Sequence, residues 1–234
     1  MARLIAAIIR HADYQQLADT PSAHQPFPLT EAGKAEALAA TQSLNDFLLT
    51  GNYSLSPEID CSNMLRAWQT AEIIATTMAD QFPAPPLLKS FDALAERGVG
   101  SVANLTVSQI ENIMREDPRF DPLPVGWKSD SHFRLPFQGA ESLLEAGERV
   151  ATHLQHRMQA MQESVTGDTI KLFVGHGAAF RHAAFHLGVL SLGQVPQLSM
   201  YHARPILLEY RSDGGWLHVD GEWKAREAGH ESID

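Results

Sequence analysis

The chain has 234 residues, of which 44% are hydrophobic, and a formal net charge of −10. That suffices to close one sizeable core and is long for two, so a single domain over residues 1–234 is expected. The acidic balance excludes a general affinity for nucleic acid, and any phosphate site must be a local island of positive charge.

Residues 4–9, an isoleucine-rich run, predict a central strand flanked on both faces, and its end delivers Arg10 and His11. The run is too short to span a bilayer and leads into Arg10-His11-Ala12-Asp13 rather than a small-residue cleavage site, so a soluble cytoplasmic protein is expected. Residues 12–28 read as a proline-bearing loop, followed by a helix over 31–48 with Thr30 as its N-cap. A short strand at 59–62 holds Cys61, the sole cysteine, which precludes an intramolecular disulfide and is expected to be a buried small residue in a reducing compartment. The next helix, 64–78, spaces Ala67, Ala71, Ile74 and Ala75 at helical intervals and carries Arg66 near its start.

Pro83, Pro85 and Pro86 break that pattern; 87–94 is expected to be extended and 95–100 a turn. Residues 101–137 predict one helix, 107–115, and then a stretch through Pro118, Pro122, Pro124 and Pro136, together an excursion covering the active face. A long amphipathic helix follows at 141–161, then a second core strand at 169–174 running into Gly175-His176-Gly177, and a helix at 178–187. A last strand, 206–210, is placed near an edge, with a polar tail from Lys224. Strands alternating with helices indicate an α/β sandwich on a mostly parallel sheet, where ligands sit beyond the carboxyl ends of the strands. Arg10-His11 and His176 both fall at that position.

Metal-free phosphoryl transfer needs a nucleophile, fixed positive charge on the phosphate oxygens, and an acid for the leaving oxygen. A neutral imidazole suits the first role and the arginine fork the second.

The sequence resembles the histidine phosphatase (phosphoglycerate mutase-like) superfamily in several ordered segments. Residues 9–13, Ile-Arg-His-Ala-Asp, resemble its opening Arg-His-Gly signature; 29–37 resembles its Leu-Thr-x-x-Gly-x-x-Gln-Ala segment; 62–71 resembles its Ser-x-x-x-Arg-Ala-x-Gln-Thr-Ala helix. Residues 94–100 are similar to the Leu-x-Glu-x-x-x-Gly segment bearing the acid, 139–143 to Gly-Glu-Ser with one residue inserted, and 174–177 to the second His-Gly motif. The resemblance implies a three-layer α/β/α sandwich and a phosphatase that hydrolyses phosphomonoesters through a phosphohistidine on His11. Arg10, Arg66 and His176 would hold the phosphate, and Glu96 would serve as acid and then base. Arg97 is a candidate for a second anionic group, and Arg181 is read as pairing with a carboxylate.

Ala12 stands where the family has glycine, and Leu17 where many sugar-phosphate members carry asparagine, which weakens a mutase reading. Phosphoprotein hydrolysis at Ser/Thr or His, a mutase-type phosphotransfer, and a non-catalytic phospho-ligand module stand as alternatives. Substrates are expected to be phosphorylated small molecules or phosphoproteins, with no nucleic acid or membrane partner and no cofactor. No metal site is read from the eleven histidines, since His153, His156, His182 and His186 lack an accompanying Cys cluster or His-Glu-x-x-His pattern.

Overall fold

The first six of the seven residues of β1 (Leu4–Arg10) divide their side chains between two cores, which places the strand at the centre of three layers. Ile5, Ala7 and Ile9 pack with Ala37 and Leu44 of α1 (Glu31–Gly51) and Ala71 and Ile74 of α2 (Leu65–Thr77). Leu4, Ala6 and Ile8 pack with Val150 and Leu154 of α4 (Leu143–Gln162) and Phe180 of α5 (Gly177–His186). This alternation is the period-two geometry of a strand buried on both faces. A computed structural model describes residues 2–20 and 24–226.

The main sheet runs β4-β3-β5-β1-β7-β8, with the short β2 (Ser54–Leu55) also pairing β5. β3 (Glu58–Ser62), β4 (Leu87–Phe91), β5 (Thr169–Gly175) and β1 are parallel; β7 (Pro205–Tyr210) and β8 (Trp216–Asp220) are antiparallel additions. A mostly parallel α/β/α sandwich is thus the observed fold.

Three readings of the sequence require correction. The strand at 206–210 does lie near an edge but is not the last: the chain reverses after Tyr210, with Arg211 N–H bonded to the Gly215 carbonyl at 2.9 Å, and lays β8 outside it. β8 carries little sequence signal because it is largely exposed and lacks a clean apolar alternation. The polar tail from Lys224 opens with a strand that the sequence did not indicate, since Lys224–Ala225 forms β9 against β6 (Leu198–Ser199). The extended run after Pro86 stops at Phe91, where Asp92–Leu94 closes a 3-10 turn. Cys61 is fully buried, and burial pushes its thiol pKa up.

Within 101–137, α3 (Val107–Glu116) begins with a capping box in which Thr106 and Gln109 bond each other's backbone N–H groups. Val102, Ile110, Trp127 and Leu135 form a cluster of their own with Val99 and Ala140. The segment is fastened to α5 by Ser131, whose hydroxyl donates to His182 Nε2 at 3.1 Å. His182 donates its Nδ1–H to the Ala178 carbonyl at 2.7 Å and lies in the α4–α5 contact, where a Cβ on Gly147 would stand 2.4 Å from His182 Cβ.

Burial holds the His182 pKa at about 4, below the ordinary histidine value near 6.5. The unfolded chain takes up the proton first as pH falls, so stability is full above pH ~6.5 and is lost towards pH ~4. This one group should cost of the order of 3 kcal/mol over that interval. Urea midpoints measured across it are expected to fall in the unaltered protein and to fall less in His182→Asn.

Candidate active site

Parallel pairing brings two strand ends level. β1 and β5 run in register from Leu4 and Thr169 to Arg10 and Gly175, and His11 N–H donates to the Gly175 carbonyl at 2.8 Å. His11 and His176 therefore leave the sheet side by side, with ring centroids 5.0 Å apart. β3 ends beside them at Ser62, and α2 opens at that rim with the buried Arg66 in its first turn.

The Arg66 guanidinium spans both rings. Its Nε donates to His11 Nε2 at 3.1 Å, its Nη2 to His176 Nδ1 at 3.3 Å, and its Nη1 to the Gln25 carbonyl at 3.1 Å. The Tyr14 ring lies 4.5 Å from the guanidinium carbon, a cation–π contact.

Because a guanidinium only donates, these contacts assign the imidazole tautomers. His11 carries its proton on Nδ1, which donates to the Ala12 carbonyl at 2.8 Å, and its Nε2 lone pair accepts from Arg66. His176 presents an Nδ1 lone pair to Arg66 and donates Nε2–H to Ser62 Oγ at 2.9 Å. Burial first, and then the Arg66 charge, hold both imidazoles well below their ordinary pKa. Two neutral rings with lone pairs on a shared cation make a nucleophile available without a separate base.

Ala12 and Asp13 are fixed from below. Thr70 Oγ1 accepts the Ala12 N–H at 3.0 Å, and Glu36 accepts that of Asp13 at 2.8 Å. Thr30 caps α1 through the Gly33 N–H at 2.9 Å and donates its hydroxyl to Asp13 Oδ2 at 2.6 Å. Gly33 is required there, since a Cβ would stand 1.9 Å from the Asp13 carbonyl oxygen.

Arg10 passes alongside Gly177 and donates to the Met200 carbonyl at 3.0 Å. Glu96 is half-buried, and its charge acts on Tyr14, His24, Arg66 and Arg97. Arg97 is buried and donates to the Lys128 carbonyl at 3.2 Å, a bond that fastens the 101–137 segment. Arg181 donates to the Leu198 carbonyl at 2.6 Å. His153 bonds the buried Asp60 at 2.9 Å, away from the strand ends.

The sequence model of the histidine phosphatase superfamily (branch 1) matches residues 6–221. The chain belongs to the histidine phosphatase superfamily. No curated protein matches it in sequence. Among solved structures, a mycobacterial glucosyl-3-phosphoglycerate phosphatase is similar at TM-score 0.67 and 18% identity, over 96% of this chain and 97% of that one. The alpha-ribazole phosphatase of Shigella flexneri is similar at TM-score 0.68 and 17% identity, over 97% and 100%. At these identities the likeness concerns the fold.

In this member of the superfamily, several residues around the rings carry no distinctive sequence signal. Gln25 contributes only a carbonyl oxygen, so its side chain gave no signal. Arg149 looked like any charged residue on an amphipathic helix. Yet it grips Glu141 through two bonds of 2.9 and 2.8 Å and donates to the carbonyls of Ala93 and Ala95 at 3.0 and 3.1 Å, while Glu141 also accepts Gly98 N–H at 3.1 Å. That clamp brackets Glu96. His202, one of eleven histidines, places its ring centroid 5.8 Å from that of His11.

Two outcomes are expected. Gly33→Ala should lower unfolding stability by about 1–3 kcal/mol, the usual cost of forcing a methyl into packed backbone, measurable by urea titration. An oxyanion offers only acceptors, so sulfate entering beside Arg66 should find a proton on His176 Nδ1. Side-chain 15N shifts should show that nitrogen bare in the free protein and protonated in the complex; an unchanged Nδ1 would mean His176 does not face the anion.

Proposed function

We propose that the protein is a phosphatase hydrolysing phosphomonoesters of small molecules through a phosphohistidine on His11. The observation that carries this reading is the His11 Nε2 lone pair, fixed by the Nδ1–H bond to Ala12 and held beside the Arg66 cation. Nε2 attacks phosphorus as the ester P–O bond breaks, and Glu96 delivers a proton to the departing alkoxide. Water then attacks the phosphohistidine, Glu96 takes the water proton, and the N–P bond breaks to free inorganic phosphate and neutral His11.

Arg10, Arg66 and His176 compensate the charge on the phosphate oxygens in this scheme, so no step calls on a metal ion or organic cofactor. The Arg149–Glu141 clamp keeps the Glu96 loop at the rim. The structurally similar proteins whose names specify a substrate, the glucosyl-3-phosphoglycerate and alpha-ribazole phosphatases, favour a small alcohol leaving group over a phosphoprotein.

p-Nitrophenyl phosphate should be hydrolysed, with acid-labile, alkali-stable phosphate trapped on the protein during turnover. His11→Ala should abolish the trapped phosphate and lower kcat by about three orders of magnitude or more. Incubation with 3-phosphoglycerate and its bisphosphate primer separates the mutase alternative, and isomerisation without phosphate release would overturn the hydrolytic assignment. Faster turnover of phosphopeptides than of any phosphorylated metabolite would overturn the small-molecule assignment.

A further inference from the structure

Next to the two histidines, on the β7 side of β1, lies a hollow of about 560 Å³ whose walls include Arg10, His202, Arg204, Lys224, Tyr201 and Glu36. Three arginine and lysine side chains against one carboxylate is a local inversion of charge in a chain whose net charge is −10.

The arrangement is built by the backbone. β9 pairs Lys224 with Ser199, two residues before Tyr201, and so returns the chain beside the hollow. Ala203, buried, adopts φ +51°, a left-handed conformation costly for a residue with a Cβ, and is held there by its N–H bond to the Arg10 carbonyl at 2.9 Å. The side chains of His202 and Arg204 on either side of it are aimed by that turn.

Both exposed cations converge on one aromatic ring. Arg204 Cζ lies 4.4 Å and Lys224 Nζ 5.8 Å from the centroid of Tyr201. Neither cation makes an ion pair or a side-chain hydrogen bond among the described residues, and Glu36 is already engaged by the Asp13 N–H at 2.8 Å, with His202 Nδ1 at 3.6 Å. Two like charges gathered on one ring repel each other, and an anion seated between them would remove that repulsion.

We propose that this hollow is a second anion site, taking a phosphate- or carboxylate-type group and sharing Arg10 and His202 with the catalytic rim. It deepens the phosphatase reading, on which its role in substrate choice rests. The anion has two possible sources: a second acidic group on the substrate itself, or a free anion.

Titration of the full-length protein with sulfate, followed through backbone amides by NMR, tests the site. Saturable shifts at Tyr201, Arg204 and Lys224 are expected, and should be lost in the double variant Arg204→Gln/Lys224→Gln, whose substitutions are both on the surface. No saturation at those amides, or equal saturation in the double variant, overturns the proposal.

The ratio of kcat/KM for 3-phosphoglycerate, which carries a carboxylate, to that for p-nitrophenyl phosphate, which does not, then separates the sources. A fall in that ratio of about tenfold or more in the double variant assigns the site to the substrate's own second anionic group. An unchanged ratio, with sulfate saturation intact in the unaltered protein, assigns it to a free anion. Sulfate binding is read without turnover, so inactivity towards both esters would refute the phosphatase reading while leaving the site standing.

Discussion

A buried cation, the Arg66 guanidinium, is the feature on which the rim of this sheet depends. It sits between the lone pairs of two imidazoles and a main-chain carbonyl, in a place stripped of water. Burial of a charge is costly unless it meets polar partners, and these acceptors are neutral. Burial first, and then the field of this cation, hold the pKa values of His11 and His176 well below the ordinary imidazole value.

Such a cation can be held only if its surroundings cannot yield, and the neighbouring contacts are of that kind. Register along the parallel pair of β1 and β5 sets His11 level with His176. Thr30, Gly33, Glu36 and Thr70 pin the two residues after His11 from the side of α1 and α2. On the opposite layer, Arg149 and Glu141 hold the loop that bears Glu96. The Glu96 loop and the two residues after His11 are thus fastened from opposite helix layers beyond the ends of the strands, the place where α/β folds form their sites.

Charge is distributed to match. The chain is acidic as a whole, yet Arg10, Arg66, Arg204 and Lys224 lie around or beside the strand ends. A phosphorylated ligand approaching such a surface meets general repulsion and local attraction, which favours selectivity over indiscriminate binding. The 101–137 segment brings its own apolar cluster and is latched to α5, so it can vary without disturbing the central cores.

Periodicity alone indicated an α/β sandwich on a mostly parallel sheet, since strands buried on both faces are predominantly apolar, as β1 and β5 are, with Lys171 of β5 paired to the buried Asp60. It also placed Arg10, His11, Arg66 and His176 at element ends, because those positions interrupt apolar runs. β8 and β9 escaped notice because strands of two to five exposed residues carry almost no periodic signal. Only the tertiary structure decided the rest: that Arg66 reaches both rings, that Arg97 turns to the Lys128 carbonyl, that Arg149 brackets Glu96, and that His202 stands beside His11. Those facts depend on distances between residues far apart in the chain, and a linear pattern records which groups are present but not which of them fold to within a hydrogen bond of one another.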